Sequence, residues 1–144
     1  MNTIEELDFR TATKSLGKLV PLVYVREGQQ AQTNITLAAA PDDPPRDQRV
    51  LSKKDGLPGL TVINTNPAVI DELDLSVSST GVLVLNAKGA ARRVGLRRGD
   101  FIRKVDGAAI ETVEDLVGEL KRTQGATVLE VSRRGRAGQI RYRR

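Results

Sequence analysis

The chain has 144 residues, with 23 Lys and Arg against 18 Asp and Glu for a net charge of +5, two Phe, two Tyr, and no Cys, His or Trp. That length allows one ordinary domain or a small domain with an appendage, and the scarcity of aromatics leaves Val, Leu, Ile and Ala to build the core. The missing histidine excludes a Ser-His-Asp triad and imidazole chemistry within this chain, and the missing cysteine excludes disulfides, thiolate metal ligands and cysteine nucleophiles.

Thr3-Ile4-Glu5-Glu6 has the pattern of a capping box, so a helix is expected to start there and to end near Ser15 to Lys18. Leu19 to Arg26 and Ala31 to Leu37 read as two strands of a hairpin around Glu27 to Gln30. Residues 38–51, with Pro41-Asp42-Asp43-Pro44-Pro45-Arg46-Asp47, read as an acidic, proline-rich linker, because proline carries no amide donor and favours extended backbone. Gly56-Leu57-Pro58-Gly59-Leu60 is a loop running into a strand, Leu60 to Ile63. Asn66-Pro67 then caps and opens a helix carrying Val69, Ile70 and Leu73 on one face, and Ser76 to Thr80 is a polar loop.

The central stretch is Gly81 to Asp106, GVLVLNAKGAARRVGLRRGDFIRKVD. Val82 to Leu85 is a short apolar run suited to a buried strand. Lys88 to Val94 suits one or two helical turns that end at Gly95, with Leu96 folding back into the core. Gly99-Asp100 makes a turn, Phe101 to Val105 is a half-buried strand, and Asp106-Gly107 is a tight hairpin turn. Thr112-Val113-Glu114-Asp115 is a second capping pattern, whose helix stops near Gly125, and Thr127 to Arg133 with Gln139 to Arg143 closes the chain as a hairpin about Arg134-Gly135-Arg136.

This succession of strand, short helix, Gly-Leu, Gly-Asp, strand and Asp-Gly turn resembles the central signature of PDZ domains, of the bacterial, circularly permuted kind found in HtrA/Do-like serine proteases. The resemblance implies an α+β fold, a small antiparallel, partly open β-barrel or sandwich capped by two helices. The ends of the chain also resemble each other: Thr3 to Leu7 matches Thr112 to Leu116, and Arg26-Glu27-Gly28 matches Arg133-Arg134-Gly135. A repeat of this kind is one supersecondary unit used twice. Residues 1–37 are therefore expected to be a partial PDZ unit, residues 38–51 a linker and residues 52–144 a complete PDZ domain. The partial unit is too small to bury its own apolar face, so it is expected to dock on the complete domain or to exchange between chains as a homo-oligomer contact.

The candidate site is a peptide groove. Glycines in the loop can aim backbone amides at an anion, the following strand can accept an extended peptide on its edge, and the helix after Thr112 forms the opposite wall. The residues concerned are Leu57, Pro58, Gly59, Leu60, Thr61 and Val62 on one side and Val113, Val117 and Leu120 on the other, with Leu116 facing the core. By resemblance, Leu57 to Leu60 holds the carboxylate of a hydrophobic C-terminal residue. The expected partners are C-terminal or unfolded polypeptide segments and sister PDZ or protease domains. No cofactor or metal is expected, and any protease activity belongs to a domain outside these residues.

The resemblance also implies a periplasmic or cell-envelope location, although the first residues, with Glu5, Glu6 and Asp8, do not resemble a signal peptide and no apolar run is long enough to span a membrane. Two other readings attach to the sequence. One is a purely structural assembly module. The other is a polyanion or nucleic-acid surface formed by Arg92, Arg93, Arg97, Arg98, Arg103, Lys104, Arg141, Arg143 and Arg144, since residues 81–144 hold 15 Lys and Arg against 7 Asp and Glu. These arginines fall in separate turns and strand edges with no aromatic platform, which argues for a solvated basic surface.

Overall fold

The computed structural model describes residues 17–76 and 81–143. The helix expected after Thr3 lies outside the described residues, as does most of the loop Ser76 to Thr80. The chain divides between Ala40 and Pro41 into two compact units.

The smaller unit contains the hairpin of β1 (Leu19–Arg26) and β2 (Gln29–Thr36), paired antiparallel from Leu19↔Thr36 to Arg26↔Gln29. Its turn is two residues long, shorter than the four expected, because Glu27 and Gly28 both take positive φ, 51° and 78°. That geometry matches the right-handed twist of the flanking strands. Leu19, Val23, Tyr24 and Val25 are exposed.

The larger unit is a seven-stranded antiparallel sheet with three α-helices, an α+β, PDZ-like fold. Its elements are β3 (Arg49–Val50), a 3₁₀ turn (Lys53–Asp55), β4 (Leu60–Thr65), α1 (Pro67–Glu72), β5 (Gly81–Ala87), α2 (Gly89–Arg93), β6 (Asp100–Val105), β7 (Ala108–Ala109), α3 (Val113–Arg122), β8 (Ala126–Arg133) and β9 (Arg136–Arg143). The strand order is β3-β4-β5-β6-β8-β9, with β7 paired to β6. Residues 41–51, expected to be a linker, belong to this unit and supply one of its strands.

Alternation sorts the apolar side chains onto the two faces of the sheet. Leu60, Val62, Val82, Val84 and Ile102 point to the main core, where they join Ala91 and Leu96 from the α2 region and Val113, Leu116, Val117 and Leu120 of α3. Ile63, Leu83 and Phe101 point the other way and meet Val69 of α1. Asn66 caps α1 by accepting from the Val69 amide at 2.8 Å, and Pro67 occupies the first helical position, where no amide is needed. The box at α3 is reciprocal: Asp115 N donates to Thr112 Oγ1 at 3.1 Å and Thr112 N donates to Asp115 Oδ2 at 2.9 Å. The Thr112 hydroxyl beside its carboxylate, and then the Thr112 and Glu111 amides that donate to it, hold Asp115 below the ordinary carboxylate range.

One buried ion pair fixes β6 against β8. The Asp100 side chain is fully buried and receives Arg133 in bidentate fashion, Nε at 2.6 Å and Nη2 at 2.7 Å, while the Arg97 amide donates to the same carboxylate at 2.8 Å. Arg133 also donates to the Gly95 carbonyl at 3.0 Å, which ties the Gly-Leu turn after α2 to the sheet. The sequence reading of Asp100 as a turn residue captures the bond to Arg97 and misses the pair, whose partner lies 33 residues away.

Candidate functional site

The predicted groove residues are brought together, but as lining already covered. Leu57, Leu60, Val62, Val113, Val117 and Leu120 are all buried in one apolar cluster with Leu116. The division of α3 into a groove wall and a core face therefore does not hold. Pro58 and Thr61 are half-buried, as is Gly59 in the loop between them.

The expected free edge of β4 is also taken. Arg49 and Val50 pair antiparallel with Val62 and Thr61. Leu51 N donates to Leu60 O at 2.7 Å, and Gly59 N donates to Leu51 O at 3.1 Å. The Leu51 side chain, 3% exposed, sits in the same cluster as Val117 and Leu120. The place foreseen for a hydrophobic guest is thus filled by Leu51 of the chain itself, running antiparallel to β4 as an added strand does.

The loop is not a free anion nest. Gly56 donates its amide to Lys53 O at 3.3 Å, Gly59 donates to Leu51, and Pro58 has no amide. The loop is held from behind as well, with Lys88 N donating to Gly59 O at 2.9 Å and Ala91 N to Pro58 O at 3.3 Å. Gly59 has φ +86° and packs so closely that a Cβ there would overlap the carbonyl oxygen of Lys88. Only glycine suits that position.

Upstream of β3, two asparagines organise the segment. Asn64 is buried at the end of β4; its backbone amide donates to Arg46 O at 2.7 Å, its side-chain Nδ2 donates to Pro45 O at 2.8 Å, and its Oδ1 accepts from the Val113 amide at 2.6 Å. Asn66 Nδ2 donates to Pro44 O at 2.7 Å and also to Asp42 Oδ1. Three successive carbonyls, of Pro44, Pro45 and Arg46, are therefore satisfied by two residues of the β4 end. The prolines bring no donor of their own, so acceptor capacity is what this stretch must place.

Asn64 further ties β4 to the first turn of α3, and at the far end of the helix Lys121 Nζ lies 3.4 Å from Asp55 Oδ1. On the surface Arg46 bridges Asp42 at 3.2 Å and Glu72 at 3.0 Å. Asp42 is held below the ordinary carboxylate range by its hydrogen bond from Asn66 and then by Arg46. The sequence signal for this arrangement was the pair Asn64 and Asn66 at the end of a strand, a residue type that strands otherwise avoid.

Away from the groove, Arg92, Arg97 and Arg98 line a cavity of about 510 Å³ beside Gly95 and Leu96. Among the described residues no group of three or more His, Cys, Asp or Glu could hold a metal ion, and no helix is long and apolar enough to cross a membrane.

A mostly antiparallel sheet flanked by helices, with residues 49–50 paired to β4 and Leu51 buried in the same cluster as α3, is a PDZ-like α+β arrangement. Residues 81–134 match the family model for the PDZ domain. That match runs from β5 through β8 and includes α3; such domains are in general non-catalytic peptide-binding modules. No curated protein matches the chain.

Proposed function

We propose that residues 41–144 bind an extended polypeptide segment as an added strand on β4, against α3, and that the selected feature is an aliphatic side chain inserted beside Val117 and Leu120. The observation that supports this reading is the pose of residues 46–51, whose backbone pairs with β4 while Leu51 fills the apolar site. Backbone bonds supply affinity without regard to side chain, and the single buried anchor supplies selectivity.

The Gly59 amide meets an in-chain amide carbonyl at Leu51. A guest accordingly needs no free carboxylate, and internal segments suit the groove as well as C-terminal ones. By its resemblance to HtrA/Do-like proteases, the module serves a periplasmic serine endopeptidase as a non-catalytic part that engages unfolded chains or sister domains. The test is an NMR titration of the ¹⁵N-labelled chain with an extended peptide bearing leucine at its C terminus, as free acid and as amide. Shifts confined to β4 and α3 and equal for the two forms are expected. A free acid that binds while the amide does not would overturn the internal-segment reading, and failure of every peptide to shift β4 or α3 in any variant would overturn the groove itself.

A further inference from the structure

We propose, building on that groove reading, that residues 41–51 are a resident guest which an incoming segment must displace, and that the incoming segment has the same pattern: prolines followed, six residues later, by an aliphatic anchor.

The pattern comes from which positions the fold constrains. Leu51 is buried and its carbonyl is held by Gly59. Gln48, Arg49 and Val50 face solvent, Val50 at 71% exposure, so their side chains carry no selectivity. Further upstream the constraint passes from side chain to backbone, because Asn66 and the amide and side chain of Asn64 take the carbonyls of Pro44, Pro45 and Arg46. Prolines at two of the three positions offer their carbonyls without an amide donor of their own, and their φ is fixed before binding. The two ends of the site are 6 residues apart, Pro45 to Leu51, which sets the spacing a guest must reproduce.

The segment's retention also has a modest outer component. Between Pro41 and Val50 most side chains are exposed, and the side-chain ties are the Asp42–Asn66 bond, the Arg46 bridges to Asp42 and Glu72, and the Arg49–Asp47 pair at 2.7 Å. Exposed pairs of this kind contribute little each. The resident stays because it is tethered to β4 through residues 52–59, which gives it a high effective concentration, and because Leu51 fills the apolar site. A trans guest competes against that tether, and weakening the anchor shifts the competition toward the guest.

The experiment uses the whole chain and a capped synthetic peptide with the sequence of residues 41–52. Leu51→Ala empties the anchor site in cis, and the peptide carrying leucine at that place refills it; binding at least about tenfold tighter than to the wild type is expected, given that such truncations remove more than the 1.4 kcal/mol that a factor of ten requires. The same peptide with alanine at the anchor should not bind. The Asp42→Ala/Arg46→Ala variant, altered only at exposed side chains, guards against misfolding of Leu51→Ala and should shift affinity in the same direction. The chain has no cysteine, so a spin label at Val50→Cys reports displacement directly: it should become mobile as peptide is added.

Equal affinity for wild type and both variants, or peptide-induced shifts at β4 and α3 with the label unmoved, would overturn the resident-guest inference while leaving the groove reading intact. Absence of shifts at β4 and α3 in the wild type and both variants would instead overturn the groove reading.

Discussion

Replacing Gly59 by alanine tests whether the loop that receives Leu51 is as tightly built as its contacts require. Two costs add. An L-residue at φ +86° is disfavoured by about 1–2 kcal/mol. The new Cβ would overlap Lys88 O and stand 3.0 Å from its carbonyl carbon, and that neighbour is backbone, not a side chain that can swing away. Relief means lifting the loop from α2, with loss of the bonds Lys88 N to Gly59 O and Ala91 N to Pro58 O, each worth about 0.5–1.5 kcal/mol. The expected destabilisation is therefore about 2–5 kcal/mol. Gly89→Ala is the control: it also has positive φ, +52°, but a Cβ there meets nothing within 4 Å, so only the conformational cost of about 1–2 kcal/mol applies. Urea unfolding of the three proteins, followed by circular dichroism at constant m-value, gives the comparison. Losses for the two variants within about 0.5 kcal/mol of each other would refute the claim that close backbone approach, and not φ alone, demands glycine at position 59.

The Asp100–Arg133 pair should show an asymmetric cost. Arg133→Ala strands a fully buried carboxylate with the Arg97 amide as its remaining donor, an expected loss of about 3 kcal/mol, whereas Asp100→Asn leaves Arg133, 41% exposed, free to reach water and costs about 1–2 kcal/mol; equal losses in chemical denaturation would refute the asymmetry. Asp55 and Asp115 are both held below the ordinary carboxylate range, Asp55 mainly by the Ser52 amide and Asp115 mainly by the Thr112 hydroxyl. Groups with a depressed folded-state value contribute stability that is complete above the unfolded value and is lost as pH falls through the folded one, so the urea midpoint should decline below about pH 4. The Asp55→Asn/Asp115→Asn double variant should show a shallower acid decline, and a decline parallel to wild type would contradict these two carboxylates as its source.

Much of the larger unit was legible because its signals are local. The cap at Thr112, the Asn66-Pro67 start of α1 and the apolar run of Val82 to Leu85 each concern residues within a few positions of one another, and local chemistry settles them. Turn lengths were less legible. Arg134-Gly135 closes β8 and β9 as a two-residue turn with φ of 50° and 77°, as Glu27-Gly28 does for β1 and β2, although neither pair has the asparagine or aspartate that advertises such a turn. A glycine at the second place and the strand pairing on both sides supply what the first residue lacks.

The packing of residues 41–51 against β4 was not legible, for a reason of the same kind taken further. Prolines and acids between 41 and 47 make no repeating pattern and few local bonds, so they read as a linker; their carbonyls are satisfied by Asn64 and Asn66, about 20 residues downstream. A segment of this composition becomes ordered only if another element supplies its donors. The sequence did hold the complementary half of that requirement, two asparagines at the end of an otherwise apolar strand, where polar side chains are costly unless they are paired. The two anomalies answer each other: a stretch that can offer only acceptors and a strand end that carries surplus donors. Leu60, Val62, Val117 and Leu120 share one apolar cluster with Leu51, yet an apolar set tells nothing of what covers it, and it is the polar residues beside it that hold the backbone of residues 44–46.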